Sequence, residues 1–477
     1  MCLARTITQT RATSTNSIST GTDWGNLTSA LRWNHQFSNK LFANTTLTYS
    51  RYNFNVGITQ TSKRDTLNVT NLVNYNSGIE DYAAKFDLDY VPNPNHYIKT
   101  GFNATAHTYN PGATQFQFDP GIGVGIDTIL GSAPIKAKEY SVYVEDDMHF
   151  GAFRANIGLH ASAFAVNGTF YKSLQPRIGL NYLLNNDIAL KASFCTMQQY
   201  INLLANEGLG LPSDLWVPST EKIKPQDAWQ AAIGTAKTFR DEYEISIEAY
   251  YKKMSNVLSY SAGQNYLGVN RDWQDKVVQG SGEAYGLEFL VQKKKGKLSG
   301  WVGYTLSWNY RTFEDLNGGN PFPFRYDRRH DLELVGSYQF SPKWSFSGSW
   351  VYSTGQAFSL ENIKYSRLNT DPRRQGGGGP NGGNLTALNT VYVDEIAQPS
   401  EKNAYRFKAY HRLDLGFEHK RKKKRYESTW TFGAYNTYNR KNTFFLYSTY
   451  DETIGKDVYK QVSIFPIVPN VSWGFKW

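Results

Sequence analysis

The sequence predicts an all-β fold, a transmembrane antiparallel up-and-down β-barrel of about 18 strands. Three observations predict it. Apolar and polar residues alternate with a period of two through almost the whole chain. Short and long connections alternate strictly between those segments. The chain of 477 residues also carries Tyr 33, Phe 27 and Trp 12, 15% aromatic in all, at a mean hydropathy of −0.53. A chain that is polar on average yet this aromatic builds its apolar surface by alternation, because its apolar residues do not come in blocks.

The same numbers exclude other classes. No stretch approaches the roughly 18 uninterrupted apolar residues that a spanning helix needs. Disordered chains are poor in aromatics. Cys2 and Cys195 cannot make a disulfide framework. The net charge of +10 draws heavily on one run, Lys420 to Arg425 (KRKKKR), so the total gives no nucleic-acid footprint. The opening MCLARTITQTRATS has no apolar h-region and does not read as a secretory signal.

The strands justify themselves in order. Phe86, Leu88 and Tyr90 alternate with Lys85, Asp87 and Asp89. Ile188, Leu190, Ala192 and Phe194 alternate with Lys191 and Ser193. Ile245, Ile247 and Ala249 alternate with Glu244, Ser246 and Glu248. Leu298, Val302, Tyr304, Leu306 and Trp308 alternate with Ser299, Gly303, Thr305 and Ser307. The clearest case places Trp344, Phe346, Trp350 and Tyr352 on a lipid face and Ser345, Ser347 and Ser349 on a lumen face.

Short turns read at Ser38-Asn39, Asn93 to Asn95, Gly151-Ala152, Asn185-Asn186, Asp241-Glu242, Gly296, Ser341-Pro342 and Lys420–Arg425. Between them lie long polar segments at 52–78, 111–134, 166–173, 202–225, 259–281, 313–325, 361–403 and 447–460. Outer-membrane barrels have this asymmetry, with short periplasmic turns and long outer loops. Residues 1–25 are expected to hold an incomplete first strand and an outer loop, and residues 26–477 the rest of the wall.

The last segment alternates Val471, Trp473, Phe475 and Trp477 with Ser472, Gly474 and Lys476. A closing strand of alternating aromatics with an aromatic last residue resembles the signal read by the bacterial barrel-assembly machinery. Phe475 and Trp477 are its candidate residues.

Four further stretches carry a family resemblance: Leu174–Leu184 (LQPRIGLNYLL) with Ile188–Phe194; Leu211–Val217 (LPSDLWV) with Lys224-Pro225-Gln226; Ala284–Val302; and Tyr326–Asp331 (YDRRHD) with Ser353-Thr354-Gly355-Gln356. Together, over most of residues 26–477, the chain resembles the C-terminal barrel portion of a TonB-dependent outer-membrane receptor of the Bacteroidetes type. The resemblance implies a bacterial outer-membrane location, surrounding lipid, energised uptake of a large scarce nutrient, and no enzymatic activity. It also implies a 22-stranded barrel, a signal sequence, a TonB-engaging box and a plug domain. None of the last three is read in these residues. The chain is therefore expected to be a truncated portion of such a receptor that TonB reaches only through upstream sequence. The competing readings are a passive porin and a soluble β-rich adhesin or carbohydrate-binding protein.

Candidate chemistry is sparse. His35, His96, His107, His149, His160, His330, His411 and His419 form no HxxxH or HExxH pair, so they read as wall histidines rather than metal ligands. Glu145-Asp146-Asp147 lacks EF-hand spacing and reads as a strand end. Gln375–Asn384 (QGGGGPNGGN) has no following GK[ST] and reads as a loop tip, not a phosphate cradle. Asp327, Arg328, Arg329 and Asp331 are charge-dense at the top of a strand. They either face the lumen against plug or substrate, or brace the wall as an Arg–carboxylate network, and the polar barrel interior favours bracing. Among the loop aromatics Trp216, Trp229 and Trp273, Trp273 lies mid-loop and is the candidate for stacking on a ligand. No nucleophile–base arrangement rises above background, and no catalytic, cofactor or metal residue is assigned.

Overall fold

The computed structural model describes residues 2–477 except 12–13, 65–66, 122–124, 132, 186, 206–214, 263, 265–271, 360, 370–391, 400, 423–425 and 452. Among the described residues, long strands follow one another in a single antiparallel meander. They are β1 Cys2–Arg11, β2 Ser14–Ser38, β3 Leu41–Arg64, β4 Leu67–Asn93, β5 His96–Asp119 and β6 Ile135–Phe150. Next come β7 Phe153–Val166, β8 Thr169–Leu183, β9 Ile188–Gln199, β10 Gln226–Phe239, β11 Tyr243–Tyr260 and β12 Val277–Lys293. The last are β13 Leu298–Thr312, β14 His330–Ser341, β15 Trp344–Ser353, β16 Tyr410–Lys422, β17 Glu427–Tyr435 and β18 Val468–Lys476.

Each strand pairs with the next in sequence. One 20-stranded sheet holds them all, with Ile126–Gly131 and Phe322–Pro323 as short side pieces. The expected strand number is therefore present. Among the described residues no ladder joins β1 to β18.

The short turns fall where the sequence placed them, although residue 186 of the fourth and residues 423–425 of the last lie outside the described set. Several of the expected long loops are largely strand: within 111–134, residues 113–118 pair with Ile126–Gly131, and within 447–460, residues 447–451 pair with 456–460. Most of segment 52–78 is strand, the outer halves of β3 and β4 paired from Tyr52↔Ile79 to Arg64↔Leu67. Segment 166–173 is a two-residue hairpin turn, Asn167-Gly168, with φ of 44° and 84°. An Asn-Gly pair with both residues left-handed matches the twist of the flanking strands, which is why it makes so tight a turn. The outer loop expected before residue 25 is also strand, within β2. The Gly-rich tip at 375–384 lies outside the described residues.

One face of the meander carries the apolar belt. In one row, across β4 to β6, it shows Phe86, Phe102 and Val142. Aromatic rows bound it above and below. The upper row runs Trp229, Tyr251, Tyr285, Trp308, with successive ring centroids 5.4, 6.3 and 5.3 Å apart. The lower row includes Tyr90, Tyr182, Tyr243, Tyr338, Trp344 and Trp473, all exposed. On β4 the two rows are marked by Tyr82 and Tyr90, separated by about 27 Å at a rise of about 3.4 Å per residue. That is the scale of the roughly 25 Å outward apolar band of outer-membrane barrels. The opposite face is polar at this level. It presents Asp87, whose carboxylate accepts from Tyr143 at 2.7 Å, and Ser345, Ser347 and Ser349 beside Glu418, Gly416 and Asp414.

Beyond the upper aromatic row the pattern inverts. On β3 the belt residues Leu47 and Tyr49 point outward, while a few residues further on Phe54 and Val56 are buried on the inward face and Asn53 and Asn55 take the outward one. Tyr75, Tyr109, Ala137, Phe164 and Val166 continue that inward apolar surface across β4 to β7. It is apolar because chain folds onto it.

Candidate functional site

What folds onto it is the connection between β9 and β10. Ile201–Leu204 pairs with Leu215–Pro218 to form a small antiparallel ribbon. Leu204, Val217 and Leu215 are buried in one cluster with Phe54, Tyr109 and Phe164 of the wall. Leu258 and Tyr260 of β11, and Trp273 and Val277 beyond it, join the same cluster, so the ribbon ties together distant parts of the meander. Apolar burial of this kind stabilises by about 25 cal/mol per Å² removed from water.

Polar groups fix the ribbon's register. Tyr200 stacks on Phe164 at 4.8 Å, and its hydroxyl lies 2.8 Å from Ser162 Oγ, which accepts from Gln175 Nε2 at 3.0 Å. The Tyr171 hydroxyl donates to the Thr220 carbonyl at 2.7 Å. Thr220 Oγ1 donates to Gln274 Oε1 at 2.5 Å, and Lys222 Nζ donates to Asp275 at 2.9 Å. Both acceptors sit on a single 3-10 turn, Trp273–Lys276, whose start is capped by Asp272. Burial holds the Lys276 ammonium below its ordinary pKa, with Asp272 pulling the other way. Deeper in the wall His107 lies 2.7 Å from Asp81 and 3.6 Å from Glu139, a buried imidazole between two carboxylates.

Trp273 therefore is not on an open loop. Its ring is 6% exposed inside the cluster. The sequence could not show this, because its packing partners come from β11 and from the ribbon.

The run Asp327–Asp331 builds a second region, above β13 and β14. Asp327 is 1% exposed. Its Oδ1 accepts the Asn309 backbone N–H at 2.7 Å, and its Oδ2 receives Arg406 and, at 3.5 Å, Arg329. Arg406 also donates to the backbone carbonyls of Asp327, at 2.7 Å, and Gly355, at 3.2 Å. A Cβ on Gly355 would lie 1.8 Å from the Phe407 carbonyl oxygen, so only glycine permits this approach. Arg329 stacks over Trp308 at 4.6 Å, and Arg328 donates to Ser353 Oγ at 2.7 Å while lying 4.0 Å from Asp331. Asn403, 1% exposed, donates to the Pro323 carbonyl, and Lys402 Nζ donates to Ser259 Oγ at 2.9 Å. The run is thus brought together as a brace. Arg406 was not legible as its partner; it is 79 residues from Asp327 and nothing local marks it.

Below both regions, nearer the short turns, the inward face lines a hollow of about 400 Å³ with Asp147, His149, Arg154, Asn156, Lys191 and Glu248. The last strand is held differently. Trp473 donates its Nε1–H to Ser428 Oγ at 2.9 Å, while Phe475 and Trp477 are exposed on the outward face.

An apolar belt between aromatic rows, a polar inward face and a connection folded onto that face define a transmembrane β-barrel of the outer membrane. Residues 4–453 match the profile of the TonB-dependent receptor-like β-barrel family, and the chain belongs to that family. Its members are receptors of the Gram-negative outer membrane and not enzymes. No curated protein matches the chain by sequence. Solved structures do. The ferric-catecholate import receptor Fiu of E. coli K12, in its closed form, matches at TM-score 0.57 and 13% identity, over 97% of this chain and 65% of Fiu. The pyoverdine receptor FpvA of Pseudomonas aeruginosa PAO1 matches at 0.55 and 12%, over 97% and 62%. BauA, the ferric preacinetobactin receptor of Acinetobacter baumannii, matches at 0.54 and 10%, over 100% and 72%. The chain thus spans less than two thirds of the length of Fiu and of FpvA, and at these identities the likeness is one of fold.

Proposed function

We propose that this chain forms the wall of a receptor that imports a large, scarce nutrient with energy delivered by TonB. The observation that carries the reading is the mouth. A ribbon that shares one apolar core with the wall is folded onto its inward face, above a charged lumen. A passive porin, the runner-up, works with an open lumen, and a packed ribbon in the mouth obstructs one.

In this reading the charged hollow around Arg154, Lys191 and Glu248 is the seat of a plug, and TonB acts on the plug rather than on the wall. Asp327, Arg328, Arg329 and Asp331 brace the passage, and Trp273 anchors the loop that borders it. Phe475 and Trp477 present the closing strand to the barrel-assembly machinery; replacing both by Asp in the full-length protein should block insertion, and an unchanged heat-modifiable barrel in the outer membrane argues against that role. Fiu and BauA are named for ferric carriers and FpvA for pyoverdine, so a ferric catecholate is the first cargo to test. Uptake of that chelate by cells carrying the full-length gene should vanish when TonB is deleted. Uptake that persists without TonB supports the porin instead.

A further inference from the structure

The outward face holds a hollow that the transport reading does not use. It has a volume of about 590 Å³ and spans β2 to β6 at the level of the upper aromatic row. Its floor is made of small residues. Ala84 and Ala104 are cross-strand partners, and Ala106 is the partner of Tyr82. Its sides are Tyr49 and Tyr82, 5.0 Å apart, at one end and Tyr140 at the other. Leu31 and Leu47, paired across β2 and β3, extend it along the row. Toward the bilayer centre it opens onto Phe86, Phe102 and Val142, which are all exposed. A groove among large side chains, floored by alanine and open to the hydrocarbon, has the form of an acyl-chain seat.

Cations crowd its outer end. Lys138 lines the groove, one outward-facing position beyond Tyr140. Lys136 follows on the same face, and Lys172 stands two strands over, through Ala163, at the level of Tyr140. All three lysines are exposed. The carboxylate on this face in the same rows is Glu80, cross-strand from Arg51 and accepting from the Tyr82 hydroxyl at 2.8 Å. Three ammonium groups, an arginine and one carboxylate leave the rim positive at the height where outer-leaflet headgroups lie. A charged side chain on a lipid face is tolerated near the interface and costly at the midplane, so these lysines also fix the depth of the groove.

We propose that this groove binds a phosphorylated glycolipid of the outer leaflet, of the lipid A class. One acyl chain lies over Ala84 and Ala104 between the tyrosines, and a sugar phosphate meets Lys138 with Lys136 and Lys172. The interaction is an annular one that orders β2 to β6, away from the solute path.

The test is native mass spectrometry of the full-length receptor, released from detergent after incubation with defined lipids. With diphosphoryl lipid A, one bound lipid per barrel is expected. Removing both phosphates should lower occupancy at least fivefold, and phosphatidylglycerol should compete poorly. Ala104→Trp, which fills the groove from the lipid side, and Lys138→Glu with Lys172→Glu should each lower occupancy at least fivefold in barrels that keep their heat-modifiable mobility. Ala104→Leu serves as the apolar control for insertion and should give an intermediate loss. Equal retention by the filled and charge-reversed barrels, or equal binding of the dephosphorylated lipid or of phosphatidylglycerol, overturns the proposal.

Discussion

The lower and upper halves of β3, β4 and β5 are continuous strand, yet they bury opposite faces. In the lower half Leu47, Phe86 and Phe102 face out and their neighbours face a polar lumen. In the upper half Phe54, Tyr75 and Tyr109 face in and are sealed by the ribbon. Backbone pairing is the same in both halves; only what lies against each face differs. The solvent on each side therefore decides which half of the alternation is apolar, and the change of sign marks where the bilayer ends.

Five substitutions probe that difference, and the two largest effects concern groups sealed inside the upper region. Asp327→Ala leaves the Arg406 guanidinium without its buried carboxylate and is expected to cost about 3–5 kcal/mol. Urea unfolding of the reconstituted barrel should show the loss, and a change below about 1 kcal/mol would mean that water already reaches the site. Phe164→Ala removes the ring that stacks on Tyr200 and should cost about 3–5 kcal/mol. Hydrogen exchange should place that loss in residues 201–204 and 215–224, with the belt protected; uniform loosening of all strands would contradict a separate upper core.

The third substitution compares the halves directly. Leu47→Arg puts a charge into the belt and should cost up to about 2–4 kcal/mol, depending on its depth. Asn55→Arg, on the same face of the same strand, should change stability by less than about 0.5 kcal/mol. Equal costs would erase the boundary between them. Of the four changes expected to destabilise, the smallest is Trp473→Phe, which loses one hydrogen bond to Ser428 and should cost about 1 kcal/mol.

The meander, its register and its short turns were legible in the sequence, because one lipid-facing surface imposes a strict period of two. The upper halves were not. There Asn53, Asn55, Asn74 and Asn76 occupy the outward face, and a run so rich in asparagine reads as loop unless its inward partners Phe54, Val56 and Tyr75 are weighed separately. The Asp327 run was legible as a cluster of charge, but not its partner Arg406, which lies 79 residues further along the chain. Trp273 looked available because a position in a loop says nothing about what folds over it.

The account stands most directly on which side chains touch lipid. Nitroxide labels at positions 47, 55, 347 and 350 of the full-length receptor in bilayers, read by power saturation with oxygen and with a water-soluble nickel chelate, decide it. Labels at 47 and 350 should respond to oxygen, and those at 55 and 347 to the nickel chelate. Oxygen-dominated relaxation at 347 with nickel-dominated relaxation at 350 would reverse the register, and lipid-like values at 55 would remove the boundary between the two halves of the strands.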